Sequence, residues 1–104
     1  MTEKKVVFIT GPINGVPNYW LAFEKAEDEL TAEGFVPLSP SRLPHDLSEE
    51  KARQLYTAMM KTADAVLFLP GWDKSAVGQV EMGYCKYIRK PFATSIEKLK
   101  EVLA

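Results

Sequence analysis

The chain has 104 residues, room for one domain and no second, and its 46% hydrophobic and 26% charged fractions suit a packed core under a solvated surface. Thirteen basic residues are interspersed with 14 acidic ones for a formal charge of −1, so neither nucleic acid nor a membrane is an expected partner. The apolar runs are too short for a bilayer span or a signal peptide, and the single Cys85 excludes an internal disulfide, which together lead to the expectation of a cytoplasmic protein.

Val6-Val7-Phe8-Ile9 is a continuous apolar run, the pattern of a strand buried on both faces of a parallel sheet. The turn-rich stretch Gly11–Asn18 follows it. Tyr19, Ala22, Phe23, Ala26 and Leu30 then recur at helical spacing, and Gly34 marks the stop. Phe35–Leu38 reads as a shorter strand, placed at a sheet edge by Pro37. A loop over Ser39–Asp46 leads to a second helix with Ala52, Leu55, Tyr56, Met59, Met60 and Ala63 on one stripe. Ala65–Leu69 is a third buried strand and Pro70–Ser75 its loop.

A third helix is predicted from about Ala76 to Ile88, capped by Ser75, with Val77, Val80, Tyr84, Tyr87 and Ile88 as its inward stripe. Pro91–Thr94 forms a last short strand, and Ser95 caps a closing helix that turns Ile96, Leu99, Val102 and Leu103 inward. Strands alternating with helices predict a single α/β domain over residues 1–104. Its four-stranded parallel sheet takes the order 2-1-3-4 with helices on both faces, a flavodoxin- or Rossmann-like arrangement.

Ligands of such sheets bind beyond the strand C-termini where the order reverses, here between the first and third strands. The loops leaving those strands are Gly11–Asn18 and Pro70–Ser75. Gly11 and Gly15 permit close backbone approach to a ligand, or simply serve tight turns. Neither G-x-G-x-x-G nor G-x-x-x-x-G-K-[ST] occurs, which argues against a dinucleotide fold and a P-loop; no cofactor is expected. His45 has no second His or Cys near it, so no metal is expected either.

Glu81 falls within or at the edge of the third helix's inward stripe. A carboxylate turned toward the sheet is costly unless it is paired or lines a polar cavity, and one held ionised at a pocket floor suits a nucleophile. A structural glutamate bonded to a neighbouring group is the alternative. Asp73 reads as a general acid, a contact to sugar hydroxyls, or a plain loop aspartate. Trp72 reads as a base-stacking ring or as a lid packed on protein. Ser75 reads as a helix cap that also meets an anion, or as a cap alone. Asp64 precedes the third strand at the far end of the sheet and reads as structural.

Three segments together carry a family resemblance: Phe8-Ile9-Thr10-Gly11-Pro12-Ile13-Asn14-Gly15, Ala63-Asp64-Ala65-Val66, and Ser75-Ala76-Val77-Gly78-Gln79-Val80-Glu81-Met82-Gly83-Tyr84. They resemble the nucleoside 2-deoxyribosyltransferase superfamily, in particular its deoxynucleoside-monophosphate N-glycosidases and its short phage and bacterial relatives of unassigned function. The likeness runs in order from residue 5 to about residue 93.

The resemblance implies a retaining N-glycosidase in which Glu81 attacks C1′ of a nucleotide or nucleoside. It also implies a 5′-phosphate lying against Gly11, Pro12, Asn14 and Ser75, with Ile13 in the same loop, and a homodimer whose partner chain completes the pocket. Three positions depart from the family pattern. A usual tyrosine is Phe8, an aspartate used near the base or sugar is Tyr56, and a glycine four residues before the glutamate is Val77, with Gly78 one place late. A non-catalytic nucleotide-binding module with the same pocket is the alternative function, and a protein interface on Tyr19, Trp20 and Trp72 a third.

Overall fold

A computed structural model describes residues 3–13, 16–44 and 46–104. Four parallel strands, β1 (Val6–Thr10), β2 (Val36–Leu38), β3 (Ala65–Phe68) and β4 (Phe92–Ala93), form one sheet in the order β2-β1-β3-β4. The helices are α1 (Tyr19–Ala32), α2 (Glu49–Thr62), α3 (Ala76–Tyr87) and α4 (Ile96–Leu103). Single 3₁₀ turns at Pro40–Arg42 and Trp72–Lys74 punctuate the connections after β2 and β3. This is the α/β order that the alternating sequence predicts. Among the described residues no helix is long and apolar enough to cross a membrane.

Side chains alternate across a strand, so the central strands feed two cores. Val7, Ile9, Ala65 and Leu67 meet Phe23, Ala26 and Leu30 of α1 and Leu99 of α4 on one face. Phe8, Val66 and Phe68 meet Met60 of α2 and Met82 and Cys85 of α3 on the other. Pro37 sits on β2, an edge strand, where a missing N–H is tolerated. Asp64 ties down the end of the sheet where β1 and β3 begin: its Oδ2 accepts from the Val6 N–H at 2.7 Å. Lys90 Nζ donates to the Lys61 and Ala63 carbonyls and so closes the C-terminus of α2.

The starts of α2, α3 and α4 follow capping serines. Ser48, Ser75 and Ser95 each accept from a backbone N–H three residues on. Gly34, at φ 86°, takes the left-handed turn that ends α1.

Three helix faces differ from the expected stripes. On α3, Val80 is 71% and Tyr87 75% exposed, while Gly78, Glu81, Met82 and Cys85 are buried. Small residues set this rotation: Gly78 lets the helix lie against the Trp72–Lys74 turn, and Cys85 fits under Met60. Leu55 on α2 and Val102 on α4 are likewise exposed rather than inward.

Candidate functional site

β1 and β3 end side by side, with Thr10 opposite Phe68. The two-residue period that turns Phe8 toward α2 and α3 turns Thr10 the same way. There it meets Glu81, two positions past the first turn of α3. Thr10 Oγ1 donates to Glu81 Oε1 at 2.6 Å in a buried contact. Glu81 is 8% exposed, and its Oε2 is buried with no hydrogen-bond partner among the described residues. Burial pushes the carboxyl up from 4.5 to about 7, and the Thr10 hydrogen bond works against that rise. At neutral pH the group is therefore divided between its neutral and ionised forms.

Two hollows meet at this carboxyl. One, about 60 Å³, is lined by Phe8 and Thr10 of β1, Gly11 and Ile13 of the loop after it, Pro40, and Ser75. The other is a groove of about 310 Å³ between α2 and α3, with Arg53, Thr57, Val80 and Tyr84 on its walls. Glu81, Tyr56 and Val77 line both. The Tyr56 phenol is raised above its ordinary 10.0, first by burial and then by the negative charge of Glu81, and so remains a hydrogen-bond donor.

The loops that follow β1 and β3 are locked to each other as well as to the sheet. Gly71 turns at φ 93° with Pro12 packed over it, leaving only 3.1 Å between a hypothetical Cβ there and Pro12 Cγ. Gly11 is held as closely, since a Cβ on it would come within 2.9 Å of Leu69 Cβ.

Residues 5–94 match the family described as a domain of unknown function, DUF4406. The chain is a DUF4406 domain. No curated protein matches it.

Of the residues that the sequence singles out, this DUF4406 site gathers Gly11, Ile13, Tyr56, Ser75 and Glu81 around one hollow. Pro12 braces Gly71 instead of lining the hollow. Asp73 lies exposed on its 3₁₀ turn, lines neither hollow, and offers its carbonyl to Gln79 Nε2 at 2.6 Å. The Trp72 ring packs edge-on against Phe68 at 5.2 Å, in the second core. Asn14 lies outside the described residues, as do Gly15 and His45. Among the described residues no group of three His, Cys, Asp or Glu side chains is placed to hold a metal ion.

Sequence reasoning missed Thr10 and Pro40 as parts of the DUF4406 site. Thr10 had a readable signal: it is the one polar residue closing an apolar strand at the point where strand order reverses. Pro40 had none, because its place depends on how the loop after β2 folds back.

Proposed function

We propose that this DUF4406 domain is an N-glycosidase that hydrolyses the base–sugar bond of a nucleoside or (deoxy)nucleoside monophosphate, with Glu81 as nucleophile. The observation that carries the reading is the buried Glu81 carboxyl, its Oε2 unpartnered among the described residues, where two hollows join at the sheet's switch point. The motif resemblance to the nucleoside 2-deoxyribosyltransferase superfamily points to the same residue.

In this mechanism a carboxylate lone pair of Glu81 forms the C1′–O bond as the C1′–N bond breaks. The base departs with the bonding pair and takes a proton from water, leaving hydroxide. Hydroxide then attacks C1′, and the C1′–O pair returns to Glu81. The net change adds one water and releases base and sugar. Tyr56, too weak an acid to surrender its proton, serves as a donor to a substrate oxygen. Arg53 is a cation on the groove wall for a phosphate group.

The alternative is a nucleotide-binding module without turnover, favoured by one observation: Asp73, the acid candidate of the sequence, stands clear of both hollows. A cytoplasmic homodimer is part of the proposal, its interface covering the exposed Leu55, Val80 and Tyr87 on α2 and α3.

The test is chromatography of nucleosides and nucleoside monophosphates incubated with wild type and with Glu81→Ala. Wild type should release free base, and the variant should lose on the order of 10³-fold or more of that rate. A thermal shift with a nucleotide but no release by wild type would leave the binding module. Light scattering decides the dimer: a monomer mass at high concentration overturns it.

A further inference from the structure

Glu81 owes its orientation to a residue with no assigned role. Thr10 ends β1, is buried, and is the hydrogen-bond partner of the Glu81 side chain among the described residues. Its reach to Oε1 is 2.6 Å, the length of a charge-assisted O–H···O bond. A threonine side chain is stiff at χ1, and this one is tied to β3, pairing with Phe68 and accepting from the Leu69 N–H at 2.8 Å through its carbonyl, so its hydroxyl is held in place. One oxygen of the carboxyl is thus engaged and the other has no partner.

We propose that Thr10 is a positioning residue that holds Oε1 of Glu81 and so leaves Oε2, buried until substrate parts the hollow, as the atom that attacks, an inference that rests on the N-glycosidase reading. The carboxyl would otherwise be free to turn about its last bond and present either oxygen at a range of angles. A donor on one side stops that rotation and stabilises the ionised form, the one competent to attack. Thr10 thus fixes both the geometry and the charge of the nucleophile.

The ionisable groups around Glu81 leave Thr10 as the adjustable one. Tyr56 from α2 and Cys85 from α3 are both raised by burial and by Glu81 itself, and so stay neutral while it titrates. Arg53 stands on the wall of the neighbouring groove, 69% exposed and paired with Glu49 at 3.8 Å, so solvent screens its charge.

The experiment compares wild type, Thr10→Val and Thr10→Ser by the pH dependence of base release and by carbon-13 titration of the Glu81 carboxyl. Valine keeps the shape and removes the donor. The acidic limb of the rate profile and the carboxyl midpoint should both move up by about one to two pH units, the worth of one hydrogen bond to a charged group. The rate at neutral pH should fall about tenfold or more, and the alkaline plateau should fall as well, because the ionised carboxyl is no longer held at one angle. Serine should bring midpoint and limb back. A purely structural threonine would lower stability and leave both where they are, and that result overturns the proposal. A midpoint that moves in a protein whose wild type releases no base overturns the catalytic role, and locates the failure in the N-glycosidase reading.

Discussion

Replacing Glu81 by glutamine should make the protein more stable at about pH 8 and leave it nearly unchanged at about pH 4. The folded carboxyl titrates near 7 against 4.5 for an ordinary glutamate. Between those values the unfolded chain has released its proton and the folded one still holds it. The folded state therefore binds more protons, and stability falls as pH rises through this window. A shift of that size corresponds to roughly 3 kcal/mol, fully lost once pH exceeds the folded value. Glutamine resembles the neutral acid in shape and hydrogen bonding, and so escapes the loss.

Thermal melts at the two pH values measure it, with a gain on the order of 10 °C for the variant at the higher one. Equal melting temperatures at both would mean that the carboxyl is not desolvated in the folded protein. The same substitution removes the proposed nucleophile, so a stabler and inactive variant is the joint expectation. That combination marks a carboxylate retained against the interest of the fold.

Gly78→Ala should be the most damaging glycine-to-alanine change on α3. A Cβ at residue 78 would fall inside contact distance of the Trp72 carbonyl oxygen. That oxygen cannot retreat cheaply: it accepts from the Ser75 N–H, and the Trp72 ring is anchored on Phe68. The start of α3 must shift instead, carrying Val77 and Glu81 away from Thr10. A loss of roughly 3 kcal/mol is expected from such overpacking against fixed backbone.

Gly83 is the control on the same helix, since a Cβ there meets nothing within 4 Å. Gly83→Ala should gain about 0.5–1 kcal/mol from helix propensity alone. Denaturant melts of the pair separate the two effects. Opposite signs are expected, and a loss in both would show that α3 tolerates no added side chain for some reason other than the Trp72 contact.

Strand order was legible because β1 and β3 are unbroken apolar runs, which only the centre of a parallel sheet buries on both faces. Pro37 marked the edge for the same physical reason, a missing donor. The serine caps and Gly34 fixed the helix ends. The facing of α3 was not legible. Val80 and Tyr87 are apolar enough to read as core, yet the buried seam follows the small residues Gly78 and Cys85, whose value lies in the backbone approach that they allow. Periodicity weighs hydrophobicity and is blind to that. The inward facing of Glu81 was legible because a carboxylate near an apolar stripe is conspicuous in any register. Its partner Thr10 is a good β-former at the end of a strand, and it stands out only when its polarity is read together with the reversal of strand order.

Cys85 offers a different use of the same packing. Its thiol is fully buried, lies 3.7 Å from Met60 Sδ, and is raised to about 11 by burial and by the charge of Glu81. A thiol that is neither exposed nor ionised does not react with a disulfide reagent until α2 or α3 lifts from the sheet. As the only sulfhydryl in the chain it gives a single kinetic trace with no competing signal. The molecule thus carries its own clock for the opening of one layer. Slowing of that clock by an added nucleotide would register occupancy of the groove between the same two helices, with no label and no knowledge of the reaction.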